Sequence, residues 1–286
     1  MRLADYPVEP RYPATLLRSE RLTDASSPED VRELVIEIDE GQPRFEVGQN
    51  VGVFIQGPHE FGQKFHHRLY SVADLPTPEH GGKPEITLVV KRCNYIDDYS
   101  GEEHRGVSSN YLCDLRPGDR LSITGPFGIP FKVPENHAAN LILIGLGTGI
   151  APFRGLVKHI YSNVPDWTGR VWLLYGARSG LELLYMNQQR DDFAQYYDEE
   201  TFTAIKALSP RPDWSDPIAW DYALEERAEE IWDLLSKPDT YVYVAGVSQI
   251  RKSLDELFSD MRGSAEIWQK KKDELVQAGR WVELVY

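Results

Sequence analysis

The chain has 286 residues, 41% of them hydrophobic, with 45 acidic against 31 basic side chains and a formal net charge of -14. That length favours two packed cores over one, and no basic domain offsets the negative charge, which excludes nonspecific nucleic-acid binding. Two cysteines, Cys93 and Cys113, are too few for a disulfide framework or for a cluster held by four thiolates. No apolar run approaches bilayer length and the charged start MRLADYPVEPR is unlike a signal peptide, so a cytoplasmic protein with no transmembrane segment is expected.

Through Phe131 the chain reads as short strands set apart by turn residues. Thr15 to Leu22, Val31 to Ile38, Gln49 to Ile55, Arg68 to Val72, Ile86 to Arg92 and Arg120 to Thr124 are bounded by SSPED, DEGQP, GPHEFG, PTPEHGGKP and RPGD. Six strands with long connections predict an antiparallel six-stranded β-barrel; a sandwich fits the same pattern. Val107 to Leu115 interrupts the strands with Ser108, Ser109 and Asn110 ahead of an apolar pair, which suits a short capped helix or a loop, and a second phosphate contact.

KVPENHAAN is the expected linker, giving domains 1–133 and 134–286. Beyond it, strands alternate with helices. Strands are predicted at Leu141 to Gly145, Val171 to Tyr175, Phe202 to Leu208, Tyr241 to Ala245 and Trp281 to Tyr286. Helices are predicted up to Tyr161, around Glu182 to Tyr196, and over Tyr222 to Leu235, Ile250 to Met261 and Trp268 to Val276. Such alternation predicts an α/β domain with a parallel sheet covered on both faces.

The stretch LILIGLGTGIAPFRGLVKHIY, from Leu141 to Tyr161, is the most informative in the chain. A buried strand runs into Gly145, Gly147 and Gly149, and Pro152 then opens a helix, where its missing N–H costs nothing. The free amides of such a helix start attract phosphate, so the turn reads as a pyrophosphate cradle; a turn of this composition that binds nothing is the other reading.

Taken together, RLYS at Arg68 to Ser71, GVSSNYLCD at Gly106 to Asp114, GTGIAPFR at Gly147 to Arg154, YVYVAG at Tyr241 to Gly246 and the terminal WVELVY resemble the plant-type branch of the ferredoxin:NADP reductase family. The motifs stand in the family's order, from about Leu17 to Tyr286. The resemblance implies FAD on the first domain and NADP(H) on the second, with NAD(H) also possible. It places Arg68 on the FAD pyrophosphate, Tyr70 on one face of the isoalloxazine and Ser71 beside its N5. Tyr95 stacks on the adenine, and Ser108 and Ser109 form the second pyrophosphate contact. Leu69, Val90, Gly106 and Val107 are further cofactor-binding positions. Gly147, Thr148, Gly149, Ala151, Pro152 and Gly246 belong to the nicotinamide nucleotide. Tyr286, the last residue, covers the other flavin face and must be displaced before hydride transfer, which makes it a gate.

Two positions depart from the family pattern. Ala245 stands where a cysteine lies beside the nicotinamide, and Leu284 where a glutamate precedes the terminal tyrosine, with Glu283 displaced by one residue. Neighbouring strand residues face opposite sides, so Glu283 serves in catalysis with Ser71 and Tyr286 only if the strand bulges; otherwise it is a solvated carboxylate. For the 2'-phosphate, Arg178 and the Ser209 and Arg211 pair are the candidates, although Pro210 splits the pair and Asp213 and Asp216 oppose an anion. The resemblance implies a ferredoxin or flavodoxin partner. Such carriers are usually acidic, so docking on an acidic chain calls for a local basic face, for which Arg18, Arg21, Lys270, Lys271 and Lys272 are candidates. An NADH-linked reductase feeding an oxygenase, and a nucleotide-binding regulatory subunit without turnover, are the alternatives.

Overall fold

Alternating inward aliphatic residues build the first unit, Met1–Ile129, and continuous apolar strands build the second, Pro130–Tyr286. The computed structural model describes residues 5–39, 43–59, 62–77, 82–96, 99, 101–128, 131–211 and 216–286. In the first unit six strands pair antiparallel: β1 (Tyr12–Arg21), β2 (Val31–Ile38), β3 (Asn50–Gln56), β4 (Phe65–Ser71), β5 (Glu85–Lys91) and, after a short ribbon and a helix, β8 (Arg120–Phe127). Their order is β4-β3-β8-β1-β2-β5. The two ends of that order meet just past β4, where the Ala73 amide donates to the Thr87 carbonyl at 2.8 Å and Thr77 bridges to Glu85. One continuous core of Leu34, Ile36, Ile38, Val51, Val53, Leu88 and Ile123 fills the resulting barrel, so the sandwich alternative is not the one adopted.

Between β5 and β8 lie a two-stranded ribbon, β6 (Asn94–Ile96) with β7 (Glu103–Arg105), and helix α1 (Val107–Asp114). The ribbon carries no buried residue, hence no period-two apolar signal in the sequence. Helix α1 forms where a helix or loop was expected, but no side chain caps it. Cys113 on α1 is a core filler; burial pushes its thiol up to about 11.

The second unit is a parallel sheet of β9 (Asn140–Leu146), β10 (Val171–Ala177), β11 (Phe202–Leu208), β12 (Thr240–Gly246) and β13 (Trp281–Val285), in the order β11-β10-β9-β12-β13. One face, carrying Ile142, Ile144, Trp172, Leu174, Val242 and Val244, packs against α3 (Trp220–Leu224), α4 (Ala228–Ser236), α5 (Ile250–Arg262) and α6 (Ala265–Gln277). The other meets α2 (Ile150–Asn163), whose Phe153 packs on Phe131, itself in contact with Tyr243 of β12. Among the described residues no helix is long and apolar enough to cross a membrane.

The helix expected around Glu182 to Tyr196 does not form. Only single 3₁₀ turns at Gly180–Glu182 and Ala194–Tyr196 appear. Asn187 accepts from the amides of Gln189 and Arg190, and Asp191 from the amide of Phe193. Such side-chain turns offer the backbone partners that a helix ladder cannot match. Tyr185 takes φ +59° between them, its buried ring stacked by Arg154 at 4.3 Å and Arg190 at 4.8 Å. The single helix expected over Tyr222 to Leu235 is likewise split into α3, a 3₁₀ turn and α4.

Candidate functional site

On the first unit, strand β4 carries Arg68, Leu69, Tyr70 and Ser71 opposite Val53, Gly52, Val51 and Asn50 of β3. The Ser71 hydroxyl donates to buried Asn50 Oδ1 at 2.9 Å, which fixes its rotamer. The Tyr70 hydroxyl donates to Ser108 Oγ at 3.0 Å and so ties β4 to the first turn of α1. Burial pushes the Tyr70 phenol up to about 12, with the Ser108 bond opposing, so it stays protonated and a donor at neutral pH. Arg68 is exposed and forms no ion pair with any described residue, leaving its guanidinium for an external anion.

Gly106 precedes α1 and cannot be anything larger. A Cβ there would lie 2.7 Å from the Cys93 carbonyl. Ser108 Oγ accepts from Tyr70 and Ser109 Oγ accepts from the Cys93 amide at 3.1 Å, so the Ser108 O–H remains a donor beside the uncapped amides from Val107 onward that the helix start presents to an anion. Asn110 clamps the same corner, donating to Cys93 O and Gly106 O at 3.0 and 2.9 Å. Tyr95 stands exposed on the ribbon and stacks on its cross-strand neighbour His104 with centroids 5.2 Å apart. Val90 is buried in the barrel core. An exposed arginine with no ion pair among the described residues, a glycine cradle and an aromatic platform fit a dinucleotide such as FAD; Asn50 lies in none of the sequence motifs, and Asn110, although within GVSSNYLCD, has no part that the sequence alone reveals.

On the second unit, the glycine turn sits at the carboxyl end of β9, beside the end of β12, where the strand order reverses. Open α/β sheets place ligands at that point. Gly147 takes φ +58°, and its carbonyl accepts from the buried Tyr175 hydroxyl at 3.0 Å. A Cβ on Gly149 would collide with the Ala245 carbonyl, so the turn is pressed against β12 at a residue where only glycine fits. Gly246, at φ +141°, faces Leu146 O: a Cβ would lie 2.7 Å away. Ala151 and Pro152 are buried at the start of α2, which again has no side-chain cap. These features fit the phosphates of a nucleotide.

Tyr286 follows β13 with its main chain fixed on both sides, its amide to Gly246 O at 3.1 Å and its carbonyl accepting from the Ser248 amide at 2.9 Å. The residue is 65% exposed, and its phenol hydrogen bonds to the Thr148 hydroxyl in the glycine turn. Arg178 and Ser209 follow β10 and β11, linked by the Ser209 amide to Arg178 O at 3.3 Å. Arg211 lies two residues farther on, paired with Asp216. Asp213 lies outside the described residues.

Residues 143–256 match the family model of the oxidoreductase NAD-binding domain. The chain is 32% identical over 283 residues to the chloroplastic leaf isozyme 1 of ferredoxin–NADP reductase from Arabidopsis thaliana, a match covering 96% of this chain and 77% of that protein. It is 30% identical over 275 residues to the ferredoxin–NADP reductase of a Spirulina species, covering 94% and 93%. The chain belongs to the ferredoxin–NADP reductase family. Its fold is also that of ferredoxin–NADP+ reductase from Plasmodium falciparum, with a TM-score of 0.71 at 21% identity and 98% of each chain covered.

In this member of the ferredoxin–NADP reductase family Glu283 is held by partners within its own unit. The β12–β13 register runs without a shift through Val244↔Glu283, Ala245↔Leu284 and Gly246↔Val285, so the bulge that would turn Glu283 to the Tyr286 side is absent. Glu283 instead accepts from Arg251 Nε at 2.5 Å and Trp281 Nε1 at 2.7 Å. Glu283→Gln is expected to leave the nicotinamide-dependent rate within about twofold of the parent and to cost only about 1 kcal/mol of stability; steady-state kinetics beside thermal melts check it. The basic candidates for docking are mostly engaged within the chain: Arg18 with Glu20 and Glu33, Arg21 with the carbonyls of Ser27 and Glu29, Lys271 with Glu274 and Lys272 with Asp255.

Proposed function

We propose that this chain is an FAD-dependent oxidoreductase exchanging electrons between NADP(H) and a ferredoxin, with flavodoxin as a second carrier of the same kind. The observation that carries this reading is that the relationship to the Arabidopsis and Spirulina reductases extends over both units: the barrel with its arginine-tyrosine-serine strand and the parallel sheet with its glycine turn. Bound FAD supplies the link between a two-electron hydride carrier and a one-electron carrier. Arg68 and the first amides of α1 would hold its pyrophosphate, Tyr95 its adenine, and Tyr70 and Ser71 its ring. The Ser71 hydroxyl, held by Asn50, would orient the flavin edge, with Tyr70 neutral beside it. The glycine turn and the start of α2 would take the phosphates of the nicotinamide nucleotide. We place the protein in the cytosol, where Cys93 and Cys113 remain free thiols. Purified with FAD, the protein should bind one flavin per chain and show ferredoxin-dependent cytochrome c reduction with NADPH; a colourless chain that takes up no FAD overturns the reading in favour of a regulatory subunit.

Tyr286 supports the gate within this reading. Its backbone is pinned while its exposed ring reaches the glycine turn through Thr148, at the end of the sheet where a nucleotide would bind. Removing the ring removes a competitor. Tyr286→Ser is expected to tighten NADP(H) binding by about tenfold, the worth of one aromatic stacking contact, and to weaken discrimination against NAD(H). Nucleotide titrations of the flavoprotein check it, and unchanged affinity for both would remove the gate.

A further inference from the structure

Both side chains of the split Ser209 and Arg211 pair turn to a single residue. Arg211 Nε donates to Asp216 Oδ2 at 2.7 Å and Nη2 to Oδ1 at 3.4 Å, a two-pronged pair of the kind an arginine makes with a phosphate. The Ser209 hydroxyl donates to the Asp216 main-chain carbonyl at 2.9 Å. Ser209 is buried and the Asp216 side chain is 23% exposed, whereas the Arg211 side chain is 63% exposed, so the carboxylate is anchored at the end of β11 while the guanidinium it holds lies open to a ligand. The base of the segment is pinned as well, by the Ser209 amide on Arg178 O and the Ala219 amide on Leu208 O at 3.0 Å. Thus the position where a 2'-phosphate would be gripped at the end of β11 already holds a carboxylate.

We infer that Asp216 is a specificity-determining residue, an internal competitor that lowers the affinity of this chain for 2'-phosphorylated nucleotides relative to unphosphorylated ones. The inference deepens the NADP(H) reading above and rests on it. A 2'-phosphate must take Arg211 away from Asp216, and it must then sit close to that carboxylate, so it forfeits part of the attraction a single arginine offers. An unphosphorylated ribose meets neither cost. The residue therefore compresses discrimination between NADP(H) and NAD(H) without touching the glycine turn, which both nucleotides use.

The test is calorimetric titration of the FAD-loaded full chain with 2',5'-ADP and, separately, with 5'-ADP. Asp216→Asn keeps the size and the main-chain carbonyl that holds Ser209, and removes only the charge. It is expected to raise affinity for 2',5'-ADP about tenfold and to leave 5'-ADP within twofold; Asp216→Ala should do the same. Arg211→Ala in either background should erase the preference for 2',5'-ADP. An unchanged 2',5'-ADP affinity in both Asp216 variants, or an equal gain for both ligands, overturns the inference while leaving the nucleotide site intact. Absence of binding by either ligand to the parent and all variants overturns the nucleotide reading and this inference with it.

Discussion

Asp192→Ala is expected to destabilise the second unit by about 3–5 kcal/mol, the usual consequence of removing one member of a buried ion pair. Arg154 lies inside the structure with 3% of its side chain exposed, and its Nη2 is 2.6 Å from Asp192 Oδ2. Arg190 pairs with the other oxygen of the same carboxylate at 2.9 Å, and the two guanidiniums clasp the ring of Tyr185. Without Asp192 the exposed side of Arg190 can turn to water, but Arg154 cannot. Burial opposes ionisation of Asp192, yet the hydrogen bonds and charges of Arg190 and Arg154 outweigh it and hold the carboxyl below its ordinary value. A depressed native value means that the contribution is complete above the unfolded carboxylate range near pH 4, and is lost as the pH falls through the lower native value. Thermal melts should show a fall on the order of 10 °C for the single variant. Replacing both partners, as Arg154→Met with Asp192→Leu, should recover much of it. A single variant that melts like the parent would contradict this account of the Tyr185 segment.

Arg68→Ala is expected to weaken FAD binding about a hundredfold, since a two-pronged arginine contact to phosphate is among the strongest single contacts available to the ligand. The barrel should not notice the change. Arg68 is exposed, pairs with no described acid, and lies outside the core cluster, so the flavin-free protein should melt within about 0.5 kcal/mol of the parent. Flavin fluorescence on dilution reads the dissociation constant directly. Equal flavin retention in variant and parent would move the pyrophosphate away from β4 and leave Tyr70 and Ser71 without their assigned neighbour.

The fold was legible wherever burial left a period. Val31 to Ile38 and Phe202 to Leu208 form strands with the predicted bounds because one or both faces are buried and the flanking turns are plain. The glycine turn was legible because close approach of backbone to backbone demands residues without side chains, and Gly149 against Ala245 is such an approach. Three features were not. The β6–β7 ribbon is exposed on both sides and lacks any apolar alternation. The segment from Glu182 to Tyr196 has helical composition, but a long-range ion pair from Arg154 to Asp192 and local turns made by Asn187 and Asp191 decide its course. At the end of β11 the sequence shows Asp216 only as a nearby charge; that it engages both Ser209 and Arg211 depends on how the chain folds back, which spacing does not reveal. Glu283 shows the opposite case, since strand alternation alone predicts that it faces away from Tyr286, and the unshifted register agrees.

The most direct measurement of the central claim is anaerobic stopped-flow of the FAD-loaded protein, mixed first with NADPH or NADH and then with an oxidised iron–sulfur ferredoxin. The account predicts that NADPH bleaches the flavin and that ferredoxin is then reduced, two per NADPH consumed. A flavin that neither nucleotide bleaches, or one that bleaches but passes nothing to ferredoxin or flavodoxin, would contradict it.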